Sequence, residues 1–194
     1  SVAPADVVWR FAGVRALFDD GSAAAQEVGR DHVLALEAPT DGAPLLTIYG
    51  GKLTAHRRVA ESVLEKLGPY LPAAAVGRGP WTAAAPLPGG DFPLDGLPEV
   101  VGVLRRRYAF LPEALARRLA RAYGTRAGLI IGDARRLDDL GRDFGAGLTE
   151  AEVEYLCRAE WARAASDILW RRSKLGLRLS AAQSAGLADF IGRA

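Results

Sequence analysis

Residues 69–98, "PYLPAAAVGRGPWTAAAPLPGGDFPLDGLP", hold seven of the chain's eleven prolines and repeated glycines. Proline lacks a backbone N–H and holds φ near −65°, so neither a regular helix nor a central strand survives that density. The stretch divides the 194 residues into 1–68, the linker 69–98 and 99–194. Each flank is short, so one small core per flank is the most the chain can build.

The first flank reads as β then α. "VVWRFAGVRALF" (7–18) is rich in Val, Phe and Trp and predicts a strand. "HVLALEA" (His32–Ala38) and "LLTIY" (Leu45–Tyr49) predict two more, with Asp41-Gly42 as a hairpin dipeptide between them. Ala60, Val63, Leu64 and Leu67 recur at helical spacing and predict a helix from about Thr54, stopped by Gly68 and Pro69.

The second flank reads as helices throughout. One runs from Glu99 to about Tyr108. "FLPEALARRLARAYG" has Pro112 in its first turn, Leu115, Leu119 and Ala122 as a stripe, and Gly124 as a left-handed cap. "GLIIGDARRL" is a short helix. In "TEAEVEYLCRAEWA" Thr149 and Glu152 have capping-box spacing, although Val153, Tyr155 and Cys157 also alternate as a strand would. "SDILWRRSK" and "SAAQSAGLADFIG", the latter capped by Ser180 with Gln183, complete the set. The fold class is therefore α+β, a small β-sheet and helix portion followed by an all-α part.

Between Leu45–Tyr49 and the first helix lie Gly50, Gly51 and Lys52. A helix N-terminus exposes unpaired N–H groups, glycines admit a ligand close to the backbone, and lysine adds a full charge. Together they make an anion-seeking corner. The spacing is neither a Walker A loop nor G-x-G-x-x-G, and a tight β-to-α turn without a ligand has the same signature. Arg15, between apolar residues, suits a phosphate or an acidic neighbour on an edge strand. Arg30 is a weaker candidate. His56 with Arg57 and Arg58 at a helix start points the same way, while a surface histidine accounts equally for His32 and His56.

No nucleophile triad and no metal-spaced Cys/His cluster is present, so no catalytic or metal-binding residue is named. Net charge is +2, which does not call for nucleic acid. Cys157 is the single cysteine. The paired arginines 105–107, 117–118, 135–136 and 171–172 lie among acidic residues and read as solvated faces with ion pairs. Trp161 and Trp170 read as core or helix-contact residues. The chain begins with Ser1 and has no methionine, which predicts an excised piece.

"FAGVRAL", "GRDHVL", "LLTIYGGKLTAHRRVAESVLEKL" and "LGRDFGAGLTEAEVEYLCRAEWARAASDILWRRSKLGL" together resemble the C-terminal portion of the aerobic, FAD-dependent glycerol-3-phosphate dehydrogenases, over nearly the whole chain and in order. The resemblance implies that residues 1–68 are the end of an FAD- and substrate-binding domain and that 99–194 form a helical cap domain. It implies FAD contacts from Gly50, Gly51, Lys52, Leu53 and Thr54, and a grip on substrate phosphate from Arg15, with Arg30 second. The implied reaction takes glycerol 3-phosphate to dihydroxyacetone phosphate and passes electrons to quinone. The implied place is cytoplasmic, peripheral on the inner face of the cell membrane, with room for a homodimer. The family's nucleotide-binding fingerprint is absent here, so the chain alone is expected neither to hold FAD nor to turn over. Two alternatives stand beside this: a helical interaction or membrane-docking module without catalysis, and a stand-alone phosphate-binding enzyme.

Overall fold

The computed structural model describes residues 3–14, 16–19, 21, 29, 31–72 and 79–192. The chain divides into two compact units between Ala85 and Pro86, inside the proline-rich stretch.

In the first unit, β1 (His32–Glu37) and β2 (Leu45–Gly50) pair antiparallel, with His32 opposite Gly50 and Glu37 opposite Leu45. The Asp41-Gly42 turn thus closes the expected hairpin. The expected first strand does not form: none of the described residues within 7–18 joins the sheet. This segment does run close to β2, where the Phe18 and Tyr49 rings stand 5.5 Å apart, but without a ladder. β-propensity reflects a half-buried surface to lie on, and here none is available. After β2 a 3-10 turn, Leu53–Ala55, leads into α1 (His56–Leu67).

No described residue before Val100 is buried. Ala60 and Leu64 of the expected α1 stripe are exposed and Val63 and Leu67 half-buried. Leu45, Ile48 and Tyr49 are exposed as well. A lone hairpin and one helix do not close a core.

Among the described residues, all of the buried apolar side chains lie in the second unit. Here α2 (Leu97–Arg107), α3 (Glu113–Tyr123), α4 (Ala127–Ile131), α5 (Glu150–Glu160) and α6 (Ala181–Ile191) surround Leu119, Leu148, Leu156, Ile168 and Leu187. Pro98 and Pro112 sit at helix starts, where a missing N–H costs nothing. Residues 167–172 form a short π-helix. Ser180 and Gln183 make the expected reciprocal cap of α6.

Four details depart from the sequence pattern. The buried face of α3 is Ala116, Leu119, Ala120 and Tyr123, rotated from Leu115 and Ala122, because the small alanines let neighbouring elements approach. Gly124 has φ +56° but ψ −133°, so it is not a left-handed cap. It lets the chain pass Gly89, whose carbonyl oxygen would lie 1.8 Å from a Cβ there. Trp161 is not core: it ends α5 with φ +57° and is 77% exposed.

The fourth departure is the largest. Thr149 makes no side-chain cap, and Glu152 is not a capping residue but is fully buried. Arg118 of α3 grips it with both guanidinium ends, Nη1 to Oε1 at 2.7 Å and Nη2 to Oε2 at 2.6 Å. The Tyr123 hydroxyl donates to the same Oε1 at 2.7 Å, and Arg118 Nη2 also donates to the Gly147 carbonyl at 2.6 Å. Arg118 is thereby an exception among arginines expected on solvated faces. Those faces do occur, as in Arg105 and Arg117 with Glu113, and Arg136 with Asp139. Burial pulls the Arg118 pKa down, but the hydrogen bond and charge of Glu152 outweigh it, and the net direction is up. Burial first, then the Glu152 charge, pushes the Tyr123 phenol far up, so it stays a donor.

A buried pair left half-empty is expensive. Glu152→Ala is expected to destabilise the helical unit by about 3 kcal/mol or more in denaturant unfolding, whereas Glu113→Ala, which breaks only exposed pairs, costs under about 1 kcal/mol.

Acid acts elsewhere. The backbone N–H of Arg135 holds the Asp139 carboxyl below its usual range, and that of Arg163 does the same for Asp167. A depressed folded pKa contributes stability above the ordinary aspartate value, lost as pH falls through the folded value. The melting temperature is expected to fall below about pH 4, and to fall less in the Asp139→Asn/Asp167→Asn variant.

Candidate functional site: the glycine-lysine corner

At the end of β2 the backbone turns through two consecutive left-handed residues, Gly50 at φ +64° and Gly51 at φ +91°. Both also sit in close quarters. A Cβ on Gly50 would lie 3.1 Å from the Phe18 backbone nitrogen, and one on Gly51 3.0 Å from the His32 Cβ. Glycine is needed here to bring the strand end past its own chain, whatever else approaches.

Beyond the glycines, Lys52 returns to extended geometry and its carbonyl accepts the Ala55 N–H at 2.9 Å. The α-helix proper begins two residues later than the pattern predicts, at His56, because residues 53–55 wind as a 3-10 turn. Lys52, Leu53 and Thr54 are all exposed, Leu53 at 89%. Neither Lys52 nor Ala55, the residues preceding the two helical segments, supplies a side-chain cap. Lys52, Leu53 and Thr54 thus stand exposed together ahead of a helix start that no side chain caps.

The basic cluster that follows is less free than its sequence suggests. Arg57 reaches Glu61 at 3.2 Å and Thr82 at 3.2 Å. The Thr82 hydroxyl also donates to Glu61 and is the main cause of that carboxyl's lowered pKa. His56 Nδ1 lies 2.9 Å from the Leu53 carbonyl oxygen. His32 pairs opposite Gly50 in the hairpin. Thus β1, β2 and α1 bring Gly50, Gly51, Lys52, Leu53 and Thr54 to one exposed corner. Arg15 and Arg30 lie outside the described residues. Among the described residues no group of three or more His, Cys, Asp or Glu could hold a metal ion. No helix there is long and apolar enough to cross a membrane. Cys157 is half-buried and its thiol is pushed up chiefly by burial, the opposite of an activated nucleophile.

Residues 80–189 match the family model of the C-terminal domain of alpha-glycerophosphate oxidase. The chain belongs to this family. It is 46% identical over 96% of its length to the aerobic glycerol-3-phosphate dehydrogenase of Escherichia coli (strain K12). It is likewise 46% identical over 98% of its length to a glycerol-3-phosphate dehydrogenase of Pseudomonas aeruginosa. The D-erythritol 1-phosphate dehydrogenase of Brucella abortus is 41% identical over 97% of the chain. The chain spans 36% of the length of the first two relatives and 37% of the third. The likeness is to a C-terminal portion of these longer proteins, and the matched family domain takes in the helical unit while the corner lies ahead of it.

What residue type alone could not reveal was the Arg118–Glu152–Tyr123 cluster. The signal was present in the spacing: Thr149, Glu152, Val153 and Leu156 stand at i, i+3, i+4 and i+7, which puts Glu152 on the face that is buried.

Gly51→Ala is expected to strain a left-handed residue against His32 and to loosen the β2–α1 junction. Hydrogen exchange over residues 45–67 should speed up, while residues 99–191 stay as protected as before.

Proposed function

We propose that this chain is the C-terminal part of an FAD-dependent glycerol-3-phosphate dehydrogenase and that its glycine-lysine corner contacts the flavin. The carrying observation is the 46% identity to glycerol-3-phosphate dehydrogenases across nearly the whole chain, the corner included. A substrate of the polyol phosphate class is common to the relatives by their names, and the higher identities favour glycerol 3-phosphate over the erythritol ester.

The corner suits such a cofactor. Gly50 and Gly51 let the strand end turn tightly past its own chain, and Lys52 and Thr54 beyond them are open to solvent. When bound, FAD would supply the acceptor for the hydride leaving C2 of the substrate, whose oxidation gives dihydroxyacetone phosphate. The Lys52 ammonium and the N–H groups of Leu53 and Thr54 would stabilise negative charge gathering at the electron-rich end of the ring. Arg15, with Arg30 as a second donor, would fork onto the substrate phosphate. The base that takes the hydroxyl proton would come from polypeptide outside this chain. Electrons would leave to a quinone, from a protein peripheral on the inner face of the cell membrane and able to form a homodimer.

The exposed apolar residues of the first unit support this division of labour. With no buried residue among its described ones, that unit would gain a core by packing against further polypeptide. Residues 1–68 would then be the end of the FAD- and substrate-binding domain, 69–98 its linker, and 99–194 the cap.

The purified 194-residue chain is expected to show no visible flavin absorbance and no turnover of glycerol 3-phosphate; stoichiometric flavin on it would overturn the proposed dependence on further polypeptide. In the longer protein, Lys52→Met is expected to lower kcat by about a hundredfold with dye acceptors. An unchanged kcat would remove Lys52 from the cofactor site.

A further inference from the structure

We propose that the helical unit carries a second anion site, a groove that binds a small, multiply charged phosphate compound. The proposal is independent of the flavin corner. The groove has a volume of about 1180 Å3 and runs between α3, the loop from Gly141 to Thr149, and the turn around Arg172 and Arg178.

Five arginines line it: Arg117, Arg118, Arg121, Arg172 and Arg178. Two are answered by protein charges, Arg117 by Glu113 and Arg118 by Glu152. Arg172 gives one donor to the Glu160 carbonyl, at 2.7 Å, and keeps its charge. Arg121 and Arg178 are exposed and have no side-chain partner among the described residues. The opposing carboxylates on the lining are Asp138 and Asp143, and Asp143 already accepts the Gly145 N–H at 2.7 Å.

Arg118, in the same wall, is locked in place by Glu152 and Gly147 and gives the groove a rigid side. Guanidinium forks match phosphoryl oxygens in charge and in planar geometry. No aromatic ring lines the groove, so a nucleobase has nothing to stack on. The recognition is of phosphoryl groups themselves, and the ligand class is a compact polyvalent phosphate ester or pyrophosphate.

The test is calorimetric titration of the 194-residue chain with inorganic pyrophosphate at fixed ionic strength. Saturable 1:1 binding is expected, weakened about tenfold or more by Arg121→Gln and by Arg178→Gln and unchanged by Arg135→Gln on the surface. Both substituted arginines are exposed and unpaired, so the helical circular dichroism should match the unsubstituted chain. As a readout that needs no variant, pyrophosphate should protect Arg121 and Arg178 from phenylglyoxal modification. Heat that vanishes on matching ionic strength, equal affinity in the Gln variants, or binding confined to vesicles of anionic phospholipid would each overturn the proposal.

Discussion

The buried carboxylate of Glu152 sets the terms for the helical unit. It lies at zero exposure, and a charge so placed is tolerable only with its oxygens answered. Arg118 and Tyr123, both on α3, answer it, and Arg118 continues to the Gly147 carbonyl. The start of α5, the loop before it and the second half of α3 are thereby held in one register. Around them the apolar packing of Leu119, Leu148 and Leu156 is tight but non-directional. The ionic fork supplies the directional element, at a desolvation cost that an apolar trio of similar volume would avoid.

The same fork connects to the groove. Because Arg118 is committed to Glu152, its guanidinium is fixed, while Arg121 one turn further along α3 has no side-chain partner among the described residues. One turn of helix thus presents an arginine spent on the fold and another available to solvent. The two units differ in kind. The helical one has a closed core, whereas the hairpin and α1 expose Leu45, Ile48, Tyr49 and Leu64. That contrast fits a chain spanning 36% of the length of its first relatives.

Much of this was legible in residues 32–67 and 97–191. Hairpin, helix starts and the Ser180 cap depend on contacts within a few residues, where propensity and turn chemistry decide the outcome. The corner was legible for the same reason: two glycines and a lysine between a strand and a helix leave few other conformations. The expected strand at 7–18 failed because a strand needs a neighbour to bond and a face to bury, and neither is a local property. The α3 stripe was misplaced by one residue's rotation because Leu115 and Ala116 are both apolar, and only the packed neighbour chooses between them.

By themselves the residues determined the proline-rich stretch, the α+β order of elements, the glycine-lysine turn from strand to helix and, through long ordered similarity, the family. Those follow from backbone chemistry and from patterns short enough to be written along the chain. Only the tertiary structure decided that Glu152 turns inward to Arg118 instead of capping its own helix, that Gly124 is glycine because Gly89 passes against it, and that Trp161 faces outward. Each depends on a partner 29 or more residues distant or on a surface no single element owns, and desolvation is settled only when the chain has closed around the group.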